Sequence, residues 1–160
     1  MNVSNLVCKI PEDMDRLRDD YEGKNPREGT CGPTIVAFLT GKLVQEVIDS
    51  WSIPYRGYCS LGELRRELSK CGIETSKALA SYKNKVIQLD GVNKVIGRIQ
   101  WKKKYSSWKI PEKNTHFIYI EKNAERVRLF DNTVGWFDPN SSTGTRYALK
   151  GRITNFLVIE

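Results

Sequence analysis

The apolar positions of this chain repeat with a helical period in its first half and with a period of two in its last third. Alternating apolar and polar residues predict strands at 115–121, 126–131 and 152–159. Residues 73–100 suit either a strand or a helix and stay ambiguous. Helices followed by antiparallel strands are typical of the α+β class. We therefore expect an N-terminal helical part packed on a C-terminal antiparallel sheet.

One predicted helix is apolar on nearly every side. It runs from Cys31 to Leu39, and Pro33 falls in its first turn, where the missing proline N–H costs least. Thr40 and Gly41 end the apolar run. A helix that is apolar all round belongs in the interior of a protein. We expect this helix to be central.

Three further segments have helical patterns. Apolar residues recur at helical spacing from 43 to 51 and predict an amphipathic helix. Ser60 and Glu63 have the spacing of a capping box before a third helix, and Gly72 marks its end. The charged residues 11–23 predict a short helix or a turn.

Length and charge limit the class of protein. The 160 residues suit one domain covering 1–160, and the net charge of +7 favours contact with an anionic partner. Much of this charge falls at Lys102, Lys103, Lys104 and Lys109. No window has the apolar length of a membrane span, and the first residues lack a secretory pattern. We expect a monomer with reduced cysteines in the cytoplasm of the producing cell or of a host cell.

Cys31 has the sequence context of a nucleophile. The start of a helix offers unpaired N–H groups and a partial positive charge, and both stabilise a thiolate. Gly32 beside it is expected to leave room for a substrate carbonyl, and the backbone N–H of Cys31 is placed to donate to an oxyanion. The alternative is an inert, buried thiol, since free cysteines are often buried.

His116 is the only histidine in the chain and hence the only imidazole that could act as a base for a thiol. The alternation of its run places Ile118 and Ile120 on the same, inward face. Asp131 ends the next strand-like run, and a hairpin would bring it within reach of His116, because antiparallel neighbours lie roughly 5 Å apart. Asn132 is the rival orienting group. A hydrogen-bonded core histidine is the alternative to this Cys–His–Asp interpretation.

This order of residues resembles the papain-like cysteine peptidases, in which a helix-starting Cys is followed by a strand-borne His and then by an Asn or Asp. Within that superfamily the chain is similar to the peptidases that process bacteriocin leaders, and its size is similar to that of small viral leader proteases. The similar segments are 31–34, 57–64, 70–73, 116–120 and 127–131. The resemblance implies a papain-like fold, catalytic Cys31, His116 and Asp131, a protein or peptide substrate, and no cofactor or metal.

The chain departs from the family at the oxyanion site. The family usually carries a Gln a few residues before the nucleophile, and the matching position here is Asn25. Asn has the same amide on a shorter stem, so it suits the role if its loop lies closer. The alternative is a turn residue before Pro26.

Other kinds of site fit the sequence less well. The residues Cys8, Cys59, Cys71 and His116 include no closely spaced pair of zinc ligands. The stretch 91–97 lacks the glycine pattern of a phosphate-binding loop. Segment 101–109 interleaves aromatic residues with lysines, as a nucleic-acid-binding surface does, or it is a solvated loop. Transglutaminases and arylamine acetyltransferases resemble the same Cys, His, Asp order, so an amine acceptor in place of water stays open.

Overall fold

The computed structural model describes residues 6–24, 29–81, 93–102 and 115–160. The helices in these ranges are α1 (Met14–Lys24), α2 (Cys31–Thr40), α3 (Val44–Asp49), α4 (Leu61–Lys70) and α5 (Ser142–Lys150). The strands are β1 (Leu79–Ala80), β2 (Asn93–Trp101), β3 (Thr115–Lys122), β4 (Val127–Asp131), β5 (Gly135–Phe137) and β6 (Gly151–Val158). The predicted α+β class is confirmed.

The strands form one antiparallel sheet in the order β1-β6-β2-β3-β4-β5. The long strand β2 lies at its centre and pairs with β3 on one side and β6 on the other. β3 and β4 form the predicted hairpin, in which the Asn123 side chain accepts hydrogen bonds from the N–H groups of Glu125 (2.9 Å) and Arg126 (2.8 Å). This side-chain turn fixes where β4 begins.

Each face of the sheet has its own apolar core. On β3, Phe117 and Tyr119 pack with α2 and the other N-terminal helices in the first core. Ile118 and Ile120 point the other way, into a second core that includes Leu129 and packs against Tyr147 of α5. The alternation of β3 therefore places His116 on the second face, with Ile118 and Ile120, as the sequence predicts.

The helix α2 is central, as predicted. Eight of its ten residues are buried, and Phe38 stacks on Phe130 of β4 with ring centroids 3.9 Å apart. Gly41 ends the helix with a φ of 77°, a left-handed conformation that favours glycine, and its N–H donates to the Ala37 carbonyl at 2.9 Å. This packing holds the first residue of α2, Cys31, in a fixed relation to the sheet.

The other predicted helices are present, with caps that explain their starts. Ser60 and Glu63 form the predicted capping box of α4. The start of α3 is capped from a distance, because the Asp13 carboxylate accepts from the N–H groups of Val44 (2.8 Å) and Gln45 (3.0 Å). Among the described helices, none combines the length and apolar character needed to span a bilayer.

Several elements have no counterpart in the sequence-based prediction. They are β1, β5 and α5, and β2 resolves part of the ambiguous stretch 73–100 as a strand. The pattern of α5 is hard to recognise because Ser142, Thr143 and Gly144 are weak helix formers. A cap signal is nevertheless present, since the Ser141 side chain accepts from the Gly144 N–H at 3.1 Å.

Candidate active site

Cys31 is the first residue of α2, so its thiol lies at the N-terminal end of a buried helix. Cys31 itself is only half-buried. Thr30 occupies the N-cap position without a side-chain hydrogen bond to the first turn. The N–H groups of a first turn have no partners within the helix, and together with the helix dipole they favour a negative charge. The position therefore suits a thiolate.

His116 and Asp131 meet across the β3–β4 hairpin, but along a diagonal. The register pairs Tyr119 with Phe130, and its continuation places Asp131 opposite Ile118, two residues from His116 on the same face. Diagonal neighbours of an antiparallel pair lie within reach of longer side chains. The ring Nε2 of His116 hydrogen-bonds to Oδ1 of Asp131. The predicted proximity of the two side chains is confirmed.

Both carboxylate oxygens of Asp131 have partners. Oδ1 faces His116, whereas Oδ2 accepts hydrogen bonds from the Tyr147 hydroxyl and from the Thr133 N–H, the latter at 3.3 Å. Asp131 has no exposed surface. A buried carboxylate is tolerated when it is paired and hydrogen-bonded in this way. The carboxylate is thus held in one orientation by three donors.

The pKa values of the two groups move apart. Burial alone lowers the pKa of His116, but the charge and hydrogen bond of Asp131, and then the Cys31 side chain, raise it well above its usual range. Burial alone raises the pKa of Asp131, but the charge and hydrogen bond of His116, followed by the Tyr147 hydroxyl, lower it overall. Both shifts favour an imidazolium beside a carboxylate.

Cys31 lies near His116. The Cys31 side chain helps to raise the pKa of the imidazole, after the larger contribution of Asp131. Because Nε2 bonds to Asp131, the ring nitrogen left for the thiol is Nδ1. A proton can therefore pass between sulfur and Nδ1 while Asp131 holds the opposite side of the ring.

Asn132, the rival orienting group, lies next to the site but has different partners. Its side-chain amide donates to the Thr30 hydroxyl at 3.4 Å, and its backbone carbonyl accepts from the Arg18 guanidinium at 3.2 Å. The first contact ties the residue after Asp131 to the residue before Cys31, and the second ties it to α1. The His116 hydrogen bond goes to Asp131, so Asn132 connects the two halves of the site rather than orienting the ring.

Two aromatic residues that the sequence pattern does not single out as site residues border the site. The Trp101 ring lies 5.7 Å from the His116 ring at an interplanar angle of 31°, and Tyr147 meets Trp101 edge-on, also at 5.7 Å. Trp101 begins segment 101–109, whose lysines suggest a charged surface rather than a place beside His116. Tyr147 lies on α5, which the sequence pattern did not reveal. Both contacts depend on the tertiary fold.

The expectation for Gly32 is wrong. Gly32 is buried, and a Cβ built on it would lie 2.7 Å from Sγ of Cys59 and 3.9 Å from the rings of Phe117 and Trp51. Glycine is required here because α2 approaches the Cys59 side chain closely, not because a substrate carbonyl needs room. Burial, and then the nearby Cys31, raise the pKa of Cys59 well above its usual range.

Several predicted residues lie outside the described ranges, namely Asn25, Lys103, Lys104 and Lys109. Lys102 lies within the described ranges, and its side chain is exposed. Its backbone N–H donates to the Lys150 carbonyl at 2.8 Å. Within the described ranges, no cluster of three or more His, Cys, Asp or Glu side chains has the arrangement of a metal site.

No protein-family model matches the chain, and no curated protein matches it either. The candidate site is therefore assigned from the geometry of Cys31, His116 and Asp131.

Proposed function

We propose that the protein is a cysteine peptidase of papain-like fold that cleaves peptide or isopeptide bonds through an acyl-enzyme intermediate. The observation that carries this proposal is the hydrogen bond between the His116 ring and the buried Asp131 carboxylate, with the Cys31 thiol near the same ring. A nucleophile beside a base that a third group orients is the structural signature of covalent acyl transfer.

The way the fold positions the site supports the same proposal. Cys31 begins a buried helix, whereas His116 and Asp131 lie on neighbouring antiparallel strands. This is the placement that the resemblance to papain-like peptidases implies. All four cysteines are free, which suits a reducing compartment such as the cytoplasm.

In the first half of the proposed reaction, the Cys31 proton moves to Nδ1 of His116, which gives the imidazolium that Asp131 stabilises, and the sulfur attacks the scissile carbonyl carbon. A C–S bond forms, and the carbonyl π electrons move onto oxygen, where the Cys31 N–H donates to the oxyanion. The electrons then return to restore the carbonyl, the C–N bond breaks, and the imidazolium delivers its proton to the departing amine. The acyl group is left on Cys31.

In the second half, His116 takes a proton from a water molecule as that water attacks the thioester carbon. The C–S bond then breaks, and sulfur regains the proton from the imidazolium. Asp131 keeps its charge throughout, because its role is to hold the ring and stabilise the imidazolium. The overall reaction consumes one water and gives one carboxylic acid and one amine.

The decisive experiment combines a peptidyl vinyl sulfone, which modifies activated thiols, with a peptide-cleavage assay. Mass spectrometry should locate the adduct at Cys31, and both labelling and cleavage should be lost in Cys31→Ala. Cys71→Ala is the matched control and should keep both, since Cys71 lies away from His116 and near Lys42. Retained cleavage by Cys31→Ala would refute the proposal.

The same assay separates the rival functions. Added amines that divert the acyl group into amide products would identify an acyltransferase with the same three residues. Tight, salt-sensitive nucleic-acid binding that is weakened by neutralising Lys102, Lys103, Lys104 and Lys109, with no thiol-dependent activity on any peptide, would identify a binding module. For a peptidase, the lysine variant should leave turnover at saturating substrate unchanged.

A further inference from the structure

Cys59 is a buried thiol beside the N-terminal end of α2, and the proposed reaction does not use it. Only 3% of its surface is exposed. Its Sγ would lie 2.7 Å from a Cβ built on Gly32, so the sulfur packs directly against the first turn of the helix. Gly32 is the residue that follows Cys31 in the chain. A second thiol therefore lies against the immediate neighbour of the candidate nucleophile.

Hydrogen bonds hold the segment that carries Cys59 beside the segment that carries Cys31. The Gly29 N–H donates to the Gly57 carbonyl at 2.8 Å, and each cysteine follows this bonded pair by two residues. The Tyr55 hydroxyl donates to the Gly29 carbonyl at 2.7 Å. These two hydrogen bonds fix the loop before α4 against the residues that lead into α2. The same contacts place both cysteines at one end of α2.

The charge of Cys31 acts on the groups around Cys59. Burial is the main cause that raises the pKa of Cys59, and the neighbouring Cys31 is the next. Burial also raises the pKa of the Tyr55 hydroxyl, followed by contributions from Cys59 and then Cys31. Such effects weaken with distance, so they agree with the close placement of the three side chains.

We propose that Cys31 and Cys59 form a reversible disulfide when a peroxide oxidises Cys31, and that this disulfide switches the candidate active site off. Cys31 is the accessible member of the pair, since it is only half-buried. An accessible thiolate beside a second, resolving thiol is the arrangement found in cysteine redox sensors. Disulfides of cytosolic proteins are usually transient and redox-sensing. The switching rests on the proposed function, whereas formation of the disulfide does not.

The chemistry takes two steps and consumes one hydrogen peroxide. The Cys31 thiolate attacks one peroxide oxygen, the O–O bond breaks, and the products are a sulfenic acid and a hydroxide that takes up a proton to become water. Sγ of Cys59 then attacks the sulfenic sulfur, an S–S bond forms, and the hydroxyl group leaves as water with the Cys59 proton. The two sulfurs lose two electrons in total, and these electrons reduce the peroxide to two waters.

Oxidation of Cys31 prepares Cys59 for the second step. The protonated sulfenic acid carries no charge, so the Cys31 thiolate no longer raises the pKa of Cys59. Once the disulfide has formed, Cys31 has neither a thiol proton to pass to His116 nor a free sulfur for attack. The disulfide also prevents further oxidation of Cys31 to the irreversible sulfinic acid. The pair therefore protects the nucleophile while the site is off.

The first experiment maps the thiols of the reduced wild-type protein after treatment with hydrogen peroxide. Mass spectrometry without reductant should find the peptide that contains Cys31 linked to the peptide that contains Cys59. Cleavage and vinyl sulfone labelling should both be lost, and dithiothreitol should restore both. The proposal is overturned if Cys31 becomes a sulfinic acid without any disulfide, or if its partner is Cys8, Cys71 or a second chain.

Two cysteine variants test the part played by Cys59. Cys59→Ala should retain cleavage before oxidation, but peroxide should inactivate it permanently, with Cys31 recovered as a sulfinic or sulfonic acid. Cys71→Ala is the matched control and should recover with dithiothreitol as the wild-type protein does. Equal recovery of Cys59→Ala would overturn the protective role. If Cys59→Ala does not fold, the linked peptides from the wild-type protein decide the matter.

The fate of the peptidase proposal is measured separately. The linked peptides can be detected whether or not any substrate is cleaved, and loss of iodoacetamide labelling at Cys31 reports the disulfide without a substrate. Absence of cleavage by the reduced wild-type protein would refute the peptidase and leave the disulfide standing. Cleavage that survives complete conversion to the disulfide would overturn the switch.

Discussion

The Tyr147 hydroxyl donates a hydrogen bond to Oδ2 of Asp131, the carboxylate oxygen that the His116 ring leaves free. Asp131 is therefore held from α5 as well as from the hairpin. Burial, and then the Asp131 charge, raise the pKa of Tyr147 well above its usual range, so the hydroxyl keeps its proton and acts only as a donor. In the proposed peptidase, Tyr147 is a positioning residue that acts through Asp131.

Tyr147→Phe should lower kcat about tenfold with little change in KM, because a hydrogen bond to a charged group contributes roughly 1.5–3 kcal/mol. Steady-state kinetics on a peptide substrate check this. Tyr58→Phe is the matched control, since the Tyr58 ring lies under Arg56 at 4.4 Å and that contact needs no hydroxyl. A change confined to KM would contradict the positioning role.

Cys31 should be the most reactive of the four thiols. It lies near His116 at the start of α2, whereas burial raises the pKa of Cys8 and of Cys59. Cys71, whose Sγ lies 3.8 Å from Nζ of Lys42, is the thiol whose reactivity is to be compared with that of Cys31. Alkylation followed by peptide mapping should show Cys31 modified first, and the Cys31 rate should fall sharply in a folded His116→Ala variant. Equal labelling of all four thiols would remove the nucleophile assignment.

Asp131 should affect turnover more than Asn132 does. Asp131→Ala removes the hydrogen bond to Nε2 of His116, and loss of such a group slows catalysis by about 10⁴-fold in the best-studied triad. Asn132→Ala removes a 3.4 Å contact to Thr30 and should leave most activity. Turnover and thermal melts of both variants test this. The opposite order of activities would transfer the orienting role to Asn132.

The His116–Asp131 pair should make stability depend on pH with a definite sign. The pKa of His116 is raised in the folded protein, so its contribution is fully present below the unfolded value of about 6.5 and is lost as pH rises through the folded value. The pKa of Asp131 is lowered, so its contribution is present above about 3.9 and is lost as pH falls through the folded value. Stability from the pair is therefore greatest between these limits.

Urea unfolding from pH 5 to pH 10 measures this dependence. The difference in unfolding free energy between the wild-type protein and His116→Gln should shrink as pH rises above about 6.5, because the wild-type protein alone loses an imidazolium. A difference that stays constant across the range would show that His116 has the same pKa in the folded and unfolded chains.

Gly32→Ala should lower the free energy of unfolding by about 1–3 kcal/mol, because its Cβ would overlap Sγ of Cys59. In a Cys59→Ala background the same substitution should cost much less, since the obstructing sulfur is absent. Urea unfolding of the four proteins in this double-mutant cycle gives the coupling directly. Additive effects would show that the space is limited by another neighbour, such as Phe117 or Trp51.

Local patterns were sufficient for the features that depend on neighbours in sequence. The apolar run of α2, its end at Gly41 and the capping box at Ser60 each involve residues a few positions apart, so periodicity and cap chemistry reveal them. The alternation around His116 likewise predicts its strand and its face. Cys31 at a helix start and Asp131 after a strand follow from the same kind of evidence.

Contacts between segments that are distant in sequence determine the other features of the site. The diagonal from His116 to Asp131 depends on the register of a hairpin, and the choice of Asp131 over Asn132 depends on which side chain that register turns toward the ring. Tyr147 and Trp101 reach the site from α5 and β2. Gly32 is explained by Cys59, which lies far along the chain but in contact in space. Only packing between elements distinguishes Asp131 from Asn132, because the two residues are adjacent in sequence and local propensity treats them alike.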